Sequence, residues 1–397
     1  MSHPRNLLDA ANFSGIRQAL NSAETLPPWC YTSADFFDLE LDRIFSRVWN
    51  FLGHGDRIPA AGDYFTTTVA KVPLLVVRGE DRQIRAFQNT CRHRGTIIAE
   101  GAGNAERFTC PYHSWAYDLE GRLTHAPHMD DAVGFSKAQN GLKPVRLDTW
   151  AGFIFVNLDP GAPGLENHLG DLPATLAPYR LDDMFCARRR DYDVACNWKI
   201  YVENSKDAEH VGTVHRDSIN RTSPSSRVAR EVLPSNGQYM NTFMHNRGSA
   251  ALLAGDTGFP QIPSLKVEGT YAPLILPGTY LGCTIDCAWY LNIVPVAVDR
   301  MRLETAGLFP SAVRERPDFE ETAAKYYRRW DMTQAEDNRI CELQQTGLQS
   351  RLATAGRLSA KEELIHRIDN WIVDRVCGAT AGEPTQNHAS IEDCISD

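Results

Sequence analysis

The chain has 397 residues, 43% of them hydrophobic and 23% charged, and carries a formal net charge of −9. That length suggests two or three domains with a sizeable core, and an acidic balance without any basic block argues against nucleic acid or an anionic membrane as a partner. No apolar run approaches the ~20 residues of a membrane span, and the opening "MSHPRNLLDAANFSG" lacks the charged-then-apolar pattern of a secretory signal, so a cytoplasmic location is expected. The ten cysteines, Cys30, Cys91, Cys110, Cys186, Cys196, Cys283, Cys287, Cys341, Cys377 and Cys394, are scattered along the chain. Such scatter fits a reducing compartment better than a disulfide scaffold.

In chain order, residues 1–45 are expected to form a helical segment that packs on the larger, later domain. Residues 46–160 read as mostly β: "DYFTTTVAKVPLLVVRGEDRQIRAFQNTC" holds short Val-, Thr-, Leu- and Phe-rich runs, with "RGEDRQ" as a hairpin turn between Val77 and Ile84. "WAGFIFVNLDP" reads as a buried strand closed by a turn. Residues 161–380 read as an α+β domain. In it, "NWKIYVENSKDAEHVGTVH" has helical spacing, the stretch from Ser264 to Pro310 alternates with Pro/Gly turns as an antiparallel sheet does, and "DFEETAAKYYRRWDMTQAEDNRICELQQTGLQS" and "SAKEELIHRIDNWIVDRV" read as helices. The polar tail, 381–397, is expected to be loose.

Chemistry concentrates first in "NTCRHRGTIIAEGAGNAERFTCPYHSW". Cys91 and His93 form C-x-H; after sixteen intervening residues, Cys110 and His113 form C-x2-H. Zinc held by two Cys and two His is one reading. Zinc fingers, however, tend to pair Cys with Cys and His with His, whereas here each loop supplies one of each. A two-iron, two-sulfur cluster with one iron on thiolates and the other on imidazoles needs such a mixed set. The second concentration is Asp207-Ala-Glu-His210-Val-Gly-Thr-Val-His215, whose two His could join a carboxylate in the facial triad of non-haem ferrous enzymes. On an ideal helix the two His would point ~140° apart, so the helix must loosen between them, and Gly212 would permit it.

The first motif, Cys91-Arg-His93-Arg-Gly with Cys110-Pro-Tyr112-His113-Ser-Trp115, resembles the Rieske motif of oxygenases and ferredoxins. Ser114 stands where that branch usually has Gly, and the extra disulfide-forming Cys of respiratory Rieske proteins is missing. "NWKIYVENSKDAEHVGTVH" resembles the iron-site motif of Rieske oxygenase α subunits, the ring-hydroxylating dioxygenase family. The resemblance implies an all-β Rieske [2Fe-2S] domain inserted into an α+β, helix-grip-like catalytic domain with an antiparallel sheet flanked by helices. It implies a cluster on Cys91, His93, Cys110 and His113, a mononuclear Fe(II) on His210 and His215, and Asp207 as a bridge from His210 to His113 of a neighbouring subunit. The third iron ligand would come from "TQAEDNRICELQQTGLQS", which offers Glu336, Asp337 and Glu342; its register favours Asp337 over the neighbouring Glu336. Tyr112 and Trp115 are expected to pack around the cluster and limit solvent access, and His125, His128, His168, His245 and His366 to be structural or surface groups.

Together these imply a terminal oxygenase that takes NAD(P)H electrons through a reductase or ferredoxin, uses O2, and assembles as a head-to-tail homotrimer, with a β subunit possible. "VENSKDAEHVGTVHRDSI" resembles enzymes that hydroxylate aromatic compounds. The C-terminal "EDNRICELQQTGLQSRLATAGRLSAKEELIHRIDNWIVDRV" resembles choline and glycine-betaine oxygenases, which act on quaternary ammonium compounds but often have Glu at the position of Asp207. A Rieske electron carrier without catalysis is the reading from another class; a carrier needs only the β domain, and this chain is longer.

Overall fold

The computed structural model describes residues 4, 6–224, 229–266 and 268–378; the expectation for the 381–397 tail, and Cys394, lie outside them. Strand Val72–Arg78 shows why the first domain folds as it does. Leu74, Leu75, Val76 and Val77 are all 0% exposed, because both faces of this strand are covered. Leu74 and Val76 pack with Phe65, Ile154 and Val156, while Leu75 and Val77 pack with Phe87, Cys91, Cys110, Trp115 and Tyr117. The strand thus places two metal-type cysteines directly over a rigid sheet. That sheet has seven antiparallel strands, running from Asn50–His54 through Phe153–Asn157, Pro144–Trp150, Ile84–Gln88, Val72–Arg78 and Asp63–Val69 to Ala102–Asn104. A three-stranded sheet, Phe108–Thr109, Ala116–Tyr117 and Leu123–His125, carries the second Cys/His loop.

The second domain is an eight-stranded antiparallel sheet with helices on one face. Met184–Val194, an edge strand, pairs with Arg300–Pro310, which pairs with Ala288–Ala297; Thr279–Cys283, Tyr239–Met244 and Arg230–Leu233 follow with two short strands between. The strand Met184–Val194 was not legible in the sequence, since three consecutive arginines hide its alternation; charge of this kind suits a sheet edge. One sheet face, with Met240, Leu274, Leu291, Ile293 and Leu303, packs on helix Trp198–Lys206, the long helix Phe319–Leu348 and the terminal helix Glu363–Cys377. Phe13, Trp29, Phe36 and Ile44 join the same core. The other face, with Leu281, Tyr290 and Leu308, packs on Phe51, Phe153 and Phe155 of the first domain.

Polar ties secure that junction. Arg57 reaches Glu304 at 3.2 Å, Asp56 pairs with Arg189 at 2.5 Å, and Asn292 Nδ2 donates to the Phe51 carbonyl at 3.3 Å. No helix among the described residues is long and apolar enough to cross a membrane, and the nine described cysteines are free.

Candidate metal centres

The first centre is built by two tight loops. Gly95 N–H donates to the Cys91 carbonyl at 2.9 Å and Ser114 N–H to the Cys110 carbonyl at 3.1 Å, so each Cys sits at the start of a closed turn. Gly95 has φ +76° and Ser114 φ +59°; a left-handed residue after each histidine is what closes the loops, and only the first is glycine. Cys91 and Cys110 are buried, at 4% and 2% exposure. The Tyr117 hydroxyl lies 3.4 Å from Cys91 Sγ and accepts from Arg92 N–H at 3.0 Å. His93 and His113 face each other with ring centroids 4.6 Å apart, and both reach toward the surface. Thiols inside and imidazoles outside give this centre a direction.

A single zinc ion would hold its donors ~3.3–3.8 Å apart, given metal–donor distances of ~2.0–2.3 Å. No three donors of Cys91, His93, Cys110 and His113 lie within 4.8 Å of one another; among the described residues only His210, His215 and Asp337 do. The first set is therefore spread wider than a single ion's donors and leaves room for a binuclear cluster, with buried sulfur donors and outlying nitrogens. Trp115 stacks on His93 at 4.9 Å and is 2% exposed, a water-excluding wall. Tyr112 departs from expectation: it lies against the His113 ring at 3.8 Å but is itself 56% exposed. It forms part of the outer surface and does not seal the site.

The second centre also differs from the expected helix. Helix Trp198–Lys206 ends at Asp207, whose backbone is extended (φ −76°, ψ 124°), and Asp207 Oδ1 accepts from Glu209 N–H at 2.8 Å. An Asp that bonds the backbone two residues on competes with helix continuation. His210 follows on a 3-10 turn, Glu209–Gly212, and His215 on further turns. The chain thus breaks its helix before the first histidine, earlier than at Gly212, and the ideal-helix divergence of the two rings no longer applies.

The two imidazoles then converge on the long helix. The Nε2 atoms of His210 and His215 are 3.2 Å apart, and Asp337 Oδ1 lies 3.6 Å from the first and 3.0 Å from the second. Behind them, Asp207 Oδ2 accepts from His210 Nδ1 at 3.2 Å and Glu336 Oε2 from His215 Nδ1 at 2.7 Å. A carboxylate on each Nδ1 makes that nitrogen the donor, which leaves the Nε2 lone pairs aimed inward. Two nitrogen lone pairs and a carboxylate oxygen can face one another only with positive charge between them, supplied by a metal cation or by a proton. Burial opposes charge on both rings, yet the bonds to Asp207 and Asp337 push His210 up to about 9, and Asp337 with Glu336 raises His215. Burial likewise opposes charge on Asp337, but the same imidazoles hold it down at about 2. Two His and one Asp with open sides fit a ferrous ion.

The sequence offered both Glu336 and Asp337, and they take different parts: Asp337 joins the inward donors, and Glu336 steadies His215. Asn204, which donates to Asp337 Oδ1 at 2.9 Å, and Ser218, which donates to Glu336 Oε2 at 2.5 Å, carried no signal beyond lying near the motif. Of the unpatterned histidines, His168 is buried with Nε2 2.9 Å from the Leu276 carbonyl, His366 ties to the Ile16 carbonyl at 2.9 Å, and His245 lies on the surface beside Glu231.

A mixed Cys/His cluster domain joined to a two-His, one-carboxylate cradle defines a Rieske-type oxygenase. Residues 48–145 match the Rieske [2Fe-2S] domain family and residues 181–378 the ring hydroxylating alpha subunit (catalytic domain) family. The chain is 33% identical over 338 residues to the carnitine monooxygenase oxygenase subunit of Escherichia coli K12, covering 83% of this chain and 85% of that one. It is 28% identical to the glycine betaine monooxygenase oxygenase subunit of Chromohalobacter salexigens over 92% of this chain and 88% of that one. With the biphenyl dioxygenase α subunit of Metapseudomonas furukawaii it shares 34% identity over 63% of this chain and 59% of that one. A solved quaternary ammonium Rieske monooxygenase superposes with a TM-score of 0.75 at 25% identity, over 89% of this chain and 95% of that one.

The chain belongs to the Rieske non-haem iron oxygenases and is a terminal oxygenase α subunit. It is an oxidoreductase that incorporates O2, carries a Rieske cluster and a mononuclear iron, draws electrons from a reductase or ferredoxin, and acts on a small organic substrate.

Proposed function

We propose that Cys91, His93, Cys110 and His113 hold the cluster, that His210, His215 and Asp337 hold the ferrous ion, and that the reaction is monooxygenation of a quaternary ammonium compound. The convergence of His210, His215 and Asp337 within 4.8 Å carries the reading. When bound, the cluster supplies electrons singly and the ferrous ion supplies O2 activation. This chain's residues do the rest. Asp207 and Glu336 hold the two Nδ1 protons, which fixes both rings with Nε2 free to ligate. Asn204 orients Asp337. Trp115 excludes water from the inner side of His93. Asp207 lies at the end of its helix with its side chain 29% exposed, and that exposure supports its role as acceptor of a hydrogen bond from His113 of a neighbouring subunit in a head-to-tail trimer.

Two observations favour a quaternary ammonium substrate. The carnitine and glycine betaine oxygenases match nearly end to end, the biphenyl enzyme over a shorter span. A polar group also lies in the wall of the cradle, Asn204 on Asp337, and a pure hydrocarbon gains nothing from it. Hydroxylation of an aromatic compound is the second reading, favoured by the 34% identity to the biphenyl enzyme. A substrate screen with a surrogate reductase, reading product and not reductant loss, tests both. Oxygenated product from a quaternary ammonium panel is expected; product from aromatics alone would reverse the order, and no product from either would remove the assignment.

A further inference from the structure

Three lysine or arginine side chains of the described residues are buried: Lys199, Lys206 and Arg329. Lys199 pairs with Glu40 at 2.7 Å, and Lys206 Nζ donates to Thr242 Oγ1 and the Ala272 carbonyl at 3.2 and 2.5 Å. Arg329 is 5% exposed, yet among the described residues it forms no hydrogen bond or ion pair, and its Nε is buried without an acceptor. A buried guanidinium without a partner is costly in a folded chain.

Its position connects it to the iron cradle. Arg329 precedes Glu336 by seven residues on the long helix, which is ~20° short of two full turns, so both project from one side, ~10 Å apart along the axis. Its charge is felt by Tyr280, Cys287 and Glu336, and Tyr280 in turn feels Asp337. Glu336 does not neutralise it: its Oε2 already accepts from His215 and Ser218, and no ion pair links it to Arg329. Burial pulls the guanidinium down, but only to about 10, so it is charged at neutral pH.

We infer that Arg329 is the anchor for a carboxylate of the substrate. A planar five-donor fork on one side of the cradle suits a bidentate carboxylate, and it repels a substrate whose only charge is positive. The substrate is then an acid or a zwitterion, held by its carboxylate at Arg329 with its reacting carbon toward His210, His215 and Asp337. The inference rests on those three residues forming the oxygenase site, but not on the quaternary nitrogen.

The test uses holoenzyme and two matched pairs, glycine betaine with choline and benzoate with toluene. Binding is read from the change each compound makes in the ferrous–nitrosyl resonance, and turnover from product. The carboxylated member of a pair should bind, and Arg329→Met should weaken that binding ~100-fold while iron content and the Rieske signal stay intact. Arg329→Lys should recover part of the loss, which a purely structural arginine would not predict. Wild-type binding of both choline and toluene that equals or exceeds that of their carboxylated partners, or unchanged binding of the preferred acid by Arg329→Met, overturns the anchor. Should Arg329→Met fail to fold, the wild-type preference within each pair decides alone. Preference for benzoate without any for glycine betaine would sink the quaternary ammonium reading and leave the anchor standing.

Discussion

Two adjacent acids on one helix, Glu336 and Asp337, serve opposite nitrogens of the same ring. Neighbouring helix residues diverge by ~100°, so one carboxylate reaches His215 Nδ1 and the other Nε2. The two should fail differently. His215→Ala is expected to lose the mononuclear iron and all product while keeping the Rieske absorption, read by iron per chain and visible spectrum. Glu336→Gln should keep the ligand set but weaken iron binding ~10–100-fold, read by chelator competition. Asp207→Asn should retain all three irons and slow oxidation of the reduced cluster ~10–100-fold in a stopped-flow single turnover; an unchanged rate would remove Asp207 from the electron route. At this scale the sequence was most legible where residue types are scarce: mixed Cys/His pairs have few other uses. The separate duties of Glu336 and Asp337, and the isolation of Arg329, depend on which way side chains point from a helix that no spacing rule ties to the motif.

Among the elements, the breaks carry as much meaning as the helices. The loop after His113 closes through Ser114 at φ +59°, a conformation that costs a residue with a Cβ. Ser114→Gly is therefore expected to stabilise the first domain by up to ~1 kcal/mol, the relief being partly offset by chain entropy; a thermal melt followed at the cluster absorption checks it. A second pressure point lies where helix Trp198–Lys206 meets the terminal helix. There Glu203 and Asp369, 8% and 0% exposed, face each other, and burial pushes Glu203 up from 4.5 to about 7 and Asp369 well above its usual range. Raised carboxyl values mean the folded chain holds protons that the unfolded chain has released. Stability from this pair is present at low pH and is lost as pH climbs from about 4.5 through about 7. Asp369→Asn should flatten that decline, raising Tm more at pH 8 than at pH 5; a parallel shift at both would refute it. Helical periodicity revealed both of these helices, whereas the arginine run in Met184–Val194 masked a strand and the Asx turn at Asp207 ended a helix that hydrophobic spacing alone would have continued.

For the whole molecule, the proposed route from His113 through Asp207 to His210 crosses between subunits. Co-expressed His93→Ala and His215→Ala protomers, each inactive alone, should regain part of the wild-type rate when mixed; no recovery in verified mixed oligomers would confine transfer to one chain. The division into a β domain and a larger α+β domain was readable from the change of period, but the junction was not. Phe51, Arg57, Tyr290 and Glu304 look like ordinary strand residues until the sheets are stacked.

The first domain is threaded into the second. The chain enters it from the N-terminal segment packed on the helices and leaves it toward the same body, and Arg57, Asp56 and Asn292 rivet the two sheets together. A module fastened at both its entry and its exit cannot swing like a pendulum on one tether. In the proposed trimer the gap that an electron must leap is then set when the subunits assemble, and the catalytic cycle can gate delivery by the contents of the substrate site but not by carrying the cluster toward it.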